Sequence, residues 1–140
     1  MPSGKVVWNQ GLQFVGTSGS GHGIVIDVKK EKGGFDAGAS NTELVLMALC
    51  GCTGMDVVSI LQKKRLEVDD FEVAAEGEIS SDFPKRITDI EIVYKVWGKD
   101  IPAKAVEEAI KLSKEKYCSV SNSLNVDITH RYEVNSARED

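Results

Sequence analysis

SNTELVLMALCGCTGMDVVSILQKKR, residues 40–65, reads as one long helix, and its composition sets what the rest of the chain must do. It opens on a capping box. The Ser40 hydroxyl accepts from the backbone N–H of Glu43 while the Glu43 carboxylate reaches back, which satisfies two donors that a first helical turn leaves without partners. No charged residue falls between Leu44 and Cys52, and Leu44, Val45, Leu46, Met47, Leu49 and Cys50 point in every direction around the axis. A helix apolar on all sides requires cover on all sides. Gly51, Gly54 and Asp56 interrupt it too much for a membrane span, and Lys63, Lys64 and Arg65 suit the negative pole of its dipole.

Upstream, Lys5–Trp8 and Leu12–Gly16 are short β-prone runs around Asn9, Gln10 and Gly11, the pattern of a hairpin with Trp8, Leu12 and Phe14 on its apolar face. Residues 16–23, GTSGSGHG, lack the spacing of a phosphate-binding glycine motif and read as a turn. Ile24, Ile26 and Val28 alternate as a third strand, and the glycine-rich stretch 33–40 delivers the chain to the helix. Downstream, Phe71–Ile79 and Ile87–Trp97 alternate apolar and polar residues as an antiparallel pair, with Ile90, Ile92, Tyr94 and Val96 on one side. Pro102 opens a second helix running to about Tyr117, with Val106, Ala109, Ile110 and Ser113 as its inward stripe. Cys118 comes directly after it, then a short turn or helix, then a last strand through Val126, Ile128, His130 and Tyr132.

These elements predict one α+β domain over residues 1–140: N-terminal strands and loops over 1–39, the central helix over 40–65, two strands, a second helix and a last strand over 66–134, and a frayed tail over 135–140. Antiparallel sheets would pack around a long buried helix. Six modest strands of one chain are too few to cover every side of that helix, so the reading is a homodimer whose partner surfaces complete the core. A chain of 140 residues with 41% apolar and 28% charged residues is globular in composition. A net charge of −5, with no basic run beyond Lys63–Arg65, argues against nucleic acid and anionic membrane surfaces as partners. No N-terminal stretch has the pattern of a signal peptide, so the expected compartment is the cytoplasm.

Three cysteines are an odd number for a reducing compartment, and they require chemistry or simple burial rather than a structural disulfide framework. Cys50 and Cys52 stand about 200° apart around a helix, so they face opposite sides and cannot work as a CxxC pair does. Cys50, inside the charge-free run, fits a small buried hydrophobe. Cys52 has Thr53 beside it and Asp56 one turn on, which places it where the helix meets a cleft. Cys118 stands where one helix ends and Ser119 or Ser121 caps another, a position that favours a thiolate. A Cys52–Cys118 redox pair and separate burial of the two both fit these facts. Metal binding has no support in ligand spacing, since one Cys-x-Cys, one distant cysteine and two isolated histidines form no familiar set.

Gly33-Gly34-Phe35-Asp36-Ala37-Gly38-Ala39-Ser40, then Glu43-Leu44 and Ala48-Leu49-Cys50-Gly51-Cys52-Thr53, with Cys118-Ser119-Val120-Ser121 further on, resemble the OsmC/Ohr family of thiol-dependent peroxidases over nearly the whole chain. The resemblance implies an intertwined α+β homodimer with two sites at the subunit interface. It implies Cys52 as the peroxidatic thiolate that becomes a sulfenic acid, and Cys118 as the resolving thiol that closes an intrachain disulfide, later opened by an external thiol or dithiol. Hydroperoxide reductases of the family also use an N-terminal arginine and a glutamate early in the central helix. This sequence has no arginine before Arg65. Thr42 stands at the usual glutamate position, Glu43 one residue later, and Asn41 where a proline is common, so Glu43 is a candidate both for catalysis and for the helix cap. The Gly-Cys-rich block and the missing arginine look more like a less characterised branch of the family.

The expected function is therefore a cytoplasmic, antioxidant thiol peroxidase acting on organic or inorganic hydroperoxides through Cys52 and Cys118, with no metal or flavin cofactor. A small-ligand-binding dimer and a persulfide carrier on Cys52 are the alternatives. Lys5, His22, Arg86 and Arg131 are the cations available to assist Cys52 from another part of the dimer, and each is equally at home as a surface residue.

Overall fold

The computed structural model describes residues 1–138 and divides into two compact units, Met1–Val45 and Leu46–Asp140. In the first, β1 (Gly4–Trp8), β2 (Phe14–Ser18) and β3 (Gly23–Ile26) form an antiparallel meander. Gln10 and Gly11 turn the first hairpin at positive φ, 75° and 55°, and a Cβ at Gly11 would meet the Phe35 ring at 2.9 Å. Glycine is required there by backbone conformation and by space. Asp27 organises the loop after β3. It is almost fully buried, and its carboxylate accepts from the backbone N–H groups of Val28, Phe35 and Ala37 and from the Gln13 amide. Burial alone would raise the Asp27 carboxyl, but these four donors together hold it below the ordinary value.

The central helix, α1, spans Asn41–Lys63 and starts as expected: the Ser40 N–H donates to Glu43 Oε1 at 2.9 Å, and the Glu43 N–H donates to Ser40 Oγ at 3.2 Å. It ends two residues earlier than its charge pattern suggests. Arg65 adopts φ 61°, its N–H donates to the Gln62 carbonyl, and the Leu66 N–H donates back to Leu61. This is a helix stop closed by one left-handed residue.

In the second unit, β4 (Asp70–Ile79) and β5 (Ile87–Trp97) pair antiparallel, and α2 (Ala103–Leu112) leads into a π-helical turn (Ser113–Tyr117), α3 (Ser119–Ser123) and β6 (Asp127–Asn135). The expectation of antiparallel pairing holds for β1–β5. The last strand differs, because β6 pairs parallel to β5, from Asp89↔Asp127 to Trp97↔Asn135. A connection long enough to hold two helices allows the chain to cross over and re-enter in the same direction, whereas a hairpin does not. The tail over 135–140 is not frayed from its start: Asn135 closes β6, and Arg138 pairs with Asp70 at 2.6 Å and Glu72 at 3.1 Å while lying over the Trp97 ring. Residues 139 and 140 lie outside the described residues.

Leu49, Val57 and Leu61 of α1 are fully buried with Ile90, Ile92, Tyr94 and Val96 of β5 and Val106, Ala109 and Ile110 of α2. Each such leucine, isoleucine or valine side chain contributes about 1.5–3 kcal/mol through burial. Ser113 completes the predicted inward stripe. By length and composition α1 would also cross a membrane, but its inner stripe is set into a protein core, with Gly54 close enough to β4 that a Cβ would meet Val73 at 3.3 Å. The expectation of a helix buried on all sides is met on one stripe only. Met47 and Met55 are 56% and 76% exposed, since a single sheet and α2 cover one face of a cylinder.

Candidate active site

Cys52 lies one helical turn before Asp56 on α1, and the π-helical turn after α2 brings Cys118 up to both. The sulfurs of Cys52 and Cys118 and a carboxylate oxygen of Asp56 all lie within 4.8 Å of one another. A π turn adds a residue to the helical register, which rotates the chain beyond it. The Cys118 N–H still donates to the Ser113 carbonyl at 2.8 Å, and the chain then opens at Cys118 before α3 begins.

The cap of α3 is neither Ser119 nor Ser121. Cys118 itself is the N-cap, with its sulfur accepting from the Ser121 N–H at 3.4 Å. Its thiol is nonetheless raised, because it is fully buried and the Cys52 sulfur stands beside it; the contacts from Ser121 only partly offset this. The first amides of α3 act on the other cysteine. Burial raises Cys52 as well, but the Val120 N–H, the Cys118 thiol, and the hydroxyl and N–H of Ser119 outweigh it, and the Cys52 thiol is lowered. Ser119 Oγ lies 3.8 Å from Cys52 Sγ. Among the described residues, no lysine or arginine is one of the groups that lower Cys52; the dipoles of a short turn do this instead. The sulfurs are thus unequal: Cys52 ionises first, and Cys118 keeps its proton.

A line of hydroxyls supports the site from within the core. Ser113 Oγ donates to Asp56 Oδ2 at 2.9 Å, Thr53 Oγ1 lies 2.8 Å from Ser113 Oγ, and Tyr94 Oη lies 2.8 Å from Thr53 Oγ1. Each hydroxyl has one hydrogen, and the carboxylate accepts at the end of the line. The direction is therefore fixed: Tyr94 donates to Thr53, Thr53 to Ser113, and Ser113 to Asp56. Burial above all, with charge on Cys118, Cys50 and Asp56 adding to it against the pull of Thr53, pushes the Tyr94 hydroxyl up to about 12, so it remains a donor. Among the described residues, no buried side-chain nitrogen or oxygen lacks a partner.

The other candidates each have surroundings of their own. Glu43 is exposed, and its carboxylate is engaged in the capping box, which lowers it through the Ser40 N–H and hydroxyl. Cys50 faces away from Cys52 into an open apolar groove with Met55, Val58, Phe71 and Val73, and burial raises its thiol. Arg131 pairs with Glu91 and Glu133 on the sheet. His130 packs edge-on to Tyr94 and lies 3.6 Å from Glu107, and His22 bonds Ser20 in an exposed turn. The hydroxyl line escapes a reading of the sequence, although Asp56 is visible one turn from Cys52 and Ser113 on the inner stripe of α2.

Known proteins share the sequence and the fold of this chain. The profile of the family described as OsmC-like protein matches residues 34–133. Protein YhfA of Escherichia coli (strain K12) is 45% identical over 135 residues, covering 95% of this chain and 98% of that protein. A hypothetical protein from Aquifex aeolicus VF5 has a crystal structure with TM-score 0.78 at 32% identity, over 96% of this chain and 97% of that one. The organic hydroperoxide resistance protein OhrB of Bacillus subtilis has the same fold, with TM-score 0.68 at 17% identity over 95% of this chain and 98% of that one.

Proposed function

The chain belongs to the OsmC-like protein family, and from that premise we propose that it is a thiol-dependent peroxidase, with Cys52 as the attacking and Cys118 as the resolving sulfur. The observation that carries this reading is the pairing of a lowered Cys52 thiol with a raised Cys118 thiol inside one 4.8 Å cluster. The Cys52 thiolate attacks the terminal oxygen of a hydroperoxide, the O–O bond breaks, and the departing alkoxide or hydroxide takes a proton from solvent. Cys52 is left as a sulfenic acid. Cys118 then attacks that sulfur; its proton and the departing hydroxide leave as water, and a Cys52–Cys118 disulfide remains. An external thiol or dithiol returns the pair to its reduced form by exchange. In this reading Ser119 and Val120 supply the activation that the missing N-terminal arginine would give, and Glu43 keeps its capping role.

The active form we propose is a homodimer in a reducing compartment such as the cytoplasm. Support comes from the apolar surface that one chain leaves exposed: Met47 and Met55 on α1, and Val6, Trp8, Val15 and Ile24 on the first sheet. Patches of this kind mark association surfaces. The groove of about 530 Å³ beside Cys50 is open and apolar, and it is on the side of α1 away from Cys52, so it suits a second copy of the chain better than a peroxide.

Intact mass and thiol count after mixing reduced protein with a slight excess of tert-butyl hydroperoxide, with hydrogen peroxide in parallel, test the reaction. Rapid loss of two hydrogens mapped to Cys52 and Cys118 is expected, and the faster oxidant identifies the substrate class. Three thiols surviving unchanged would reject the peroxidase reading in favour of a ligand-binding dimer, and a sulfur adduct on Cys52 without turnover would favour the carrier.

A further inference from the structure

We propose that Cys52, Cys118 and Asp56 also form a three-ligand site for a zinc-class ion, which the reduced protein binds and the disulfide form releases. The ligand set is two sulfurs and one carboxylate from two separate segments, with their donor atoms within 4.8 Å of one another. Around a tetrahedral zinc ion, with metal–sulfur bonds of about 2.3 Å and metal–oxygen bonds of about 2.0–2.2 Å, ligand atoms stand roughly 3.5–3.8 Å apart. Closing the cluster by at most about 1.3 Å therefore suffices, within reach of small side-chain rotations. Cys52 and Asp56 are one turn apart on α1, a spacing that puts both on one face of the helix.

The carboxylate is held from behind as ligating carboxylates are. Ser113 donates to Asp56 Oδ2, and Thr53 and Tyr94 continue that line into the core, which fixes the carboxylate beside the sulfur pair. Cys52 and Asp56 are half-buried and provide the entry, whereas Cys118 closes the floor. Three protein ligands leave a fourth position for solvent, with Ser119 Oγ close by. Sequence spacing carries no hint of this set, because Cys118 joins it only through the fold.

Binding replaces the two thiol protons with one divalent ion. Zinc and the disulfide exclude each other, since both use the same sulfur electron pairs. A hydroperoxide acting on the loaded site takes up two protons and yields the disulfide, the free ion, one alcohol and one water, so that loss of the ion reports oxidation.

The test needs no peroxide, so its outcome is separate from that of the peroxidase reading. Reduced full-length protein is titrated anaerobically with Zn²⁺ against a chromophoric chelator, and with Co²⁺ to read thiolate-to-metal charge transfer. One ion per chain with sulfur-to-cobalt bands is expected. Cys52→Ser and Cys118→Ser each weaken binding by more than about 100-fold, beyond the 10–100-fold typical of losing an outer-shell partner alone. Asp56→Asn weakens it at least about 10-fold with the charge-transfer bands retained. Cys50→Ser leaves it unchanged. Binding that survives in the Cys52→Ser/Cys118→Ser double variant, or an affinity indifferent to Asp56→Asn in a variant whose circular dichroism matches the wild type, would overturn the three-ligand site. So would a reduced wild-type protein that takes up no cobalt.

Discussion

Cys52 and Cys118 stand in one cluster, yet their surroundings move them to opposite sides of the ordinary thiol value of 9.0: the amides of Ser119 and Val120 bring Cys52 down, and burial takes Cys118 up. In the range just below 9.0, therefore, Cys52 is ionised to a greater extent while Cys118 holds its proton. Iodoacetamide alkylation and peptide mapping should find Cys52 modified first and Cys118 last. The Cys52 rate should approach its plateau at a lower pH than a free thiol. Equal rates at the two cysteines would remove the division of labour between them.

Cys52→Ser should reduce hydroperoxide consumption to the uncatalysed background. Cys118→Ser should instead consume one equivalent of peroxide per chain and then stop, leaving a sulfenic acid on Cys52 that dimedone traps. Continued turnover of the Cys118→Ser protein without added thiol would rule out Cys118 as the resolving group.

The hydroxyl line has a direction, and the cost of cutting it depends on where. Thr53→Val leaves the buried Tyr94 hydroxyl with nothing to donate to and should cost about 1–3 kcal/mol in urea unfolding, whereas Tyr94→Phe removes the unsatisfied group along with the bond and should cost about 1 kcal/mol. Equal and negligible losses in both would mean that water takes over the line.

Asp27 ties Val28, Phe35 and Ala37 together with a carboxyl held below the ordinary value of 3.8. A depressed carboxyl adds stability that is present above the unfolded value and is lost as pH falls through the lower folded one. Hydrogen exchange should find the Phe35 and Ala37 amides protected in the wild type at neutral pH and released only below 3.8, while Asp27→Asn exposes them at neutral pH. Protection that survives in Asp27→Asn would assign the loop's order to its other contacts.

Light scattering should give about twice the chain mass of 15.2 kDa in solution. Met55→Glu, on the exposed side of α1, should shift the protein towards the single-chain mass, because a charge buried at an apolar interface is costly to desolvate. A wild-type protein of single-chain mass would leave the exposed α1 surface to some other cover.

The order of elements is legible from residue order, because hydrophobic period and end signals are local: the Ser40–Glu43 capping box, the alternation of Ile90, Ile92, Tyr94 and Val96, and the stripe ending at Ser113 all recur in the fold. Cys52 is legible there too, as the cysteine at a polar step of an apolar helix. Strand direction and thiol chemistry come from contacts between distant segments. The parallel entry of β6 depends on which edge a crossover chain meets, and side-chain alternation is the same for either direction. The inversion of the two thiols, with the dipoles of α3 lowering Cys52 while Cys118 caps that helix, depends on approaches across 67 positions of chain. Ionisation depends on distance and burial, and neither is written in residue order.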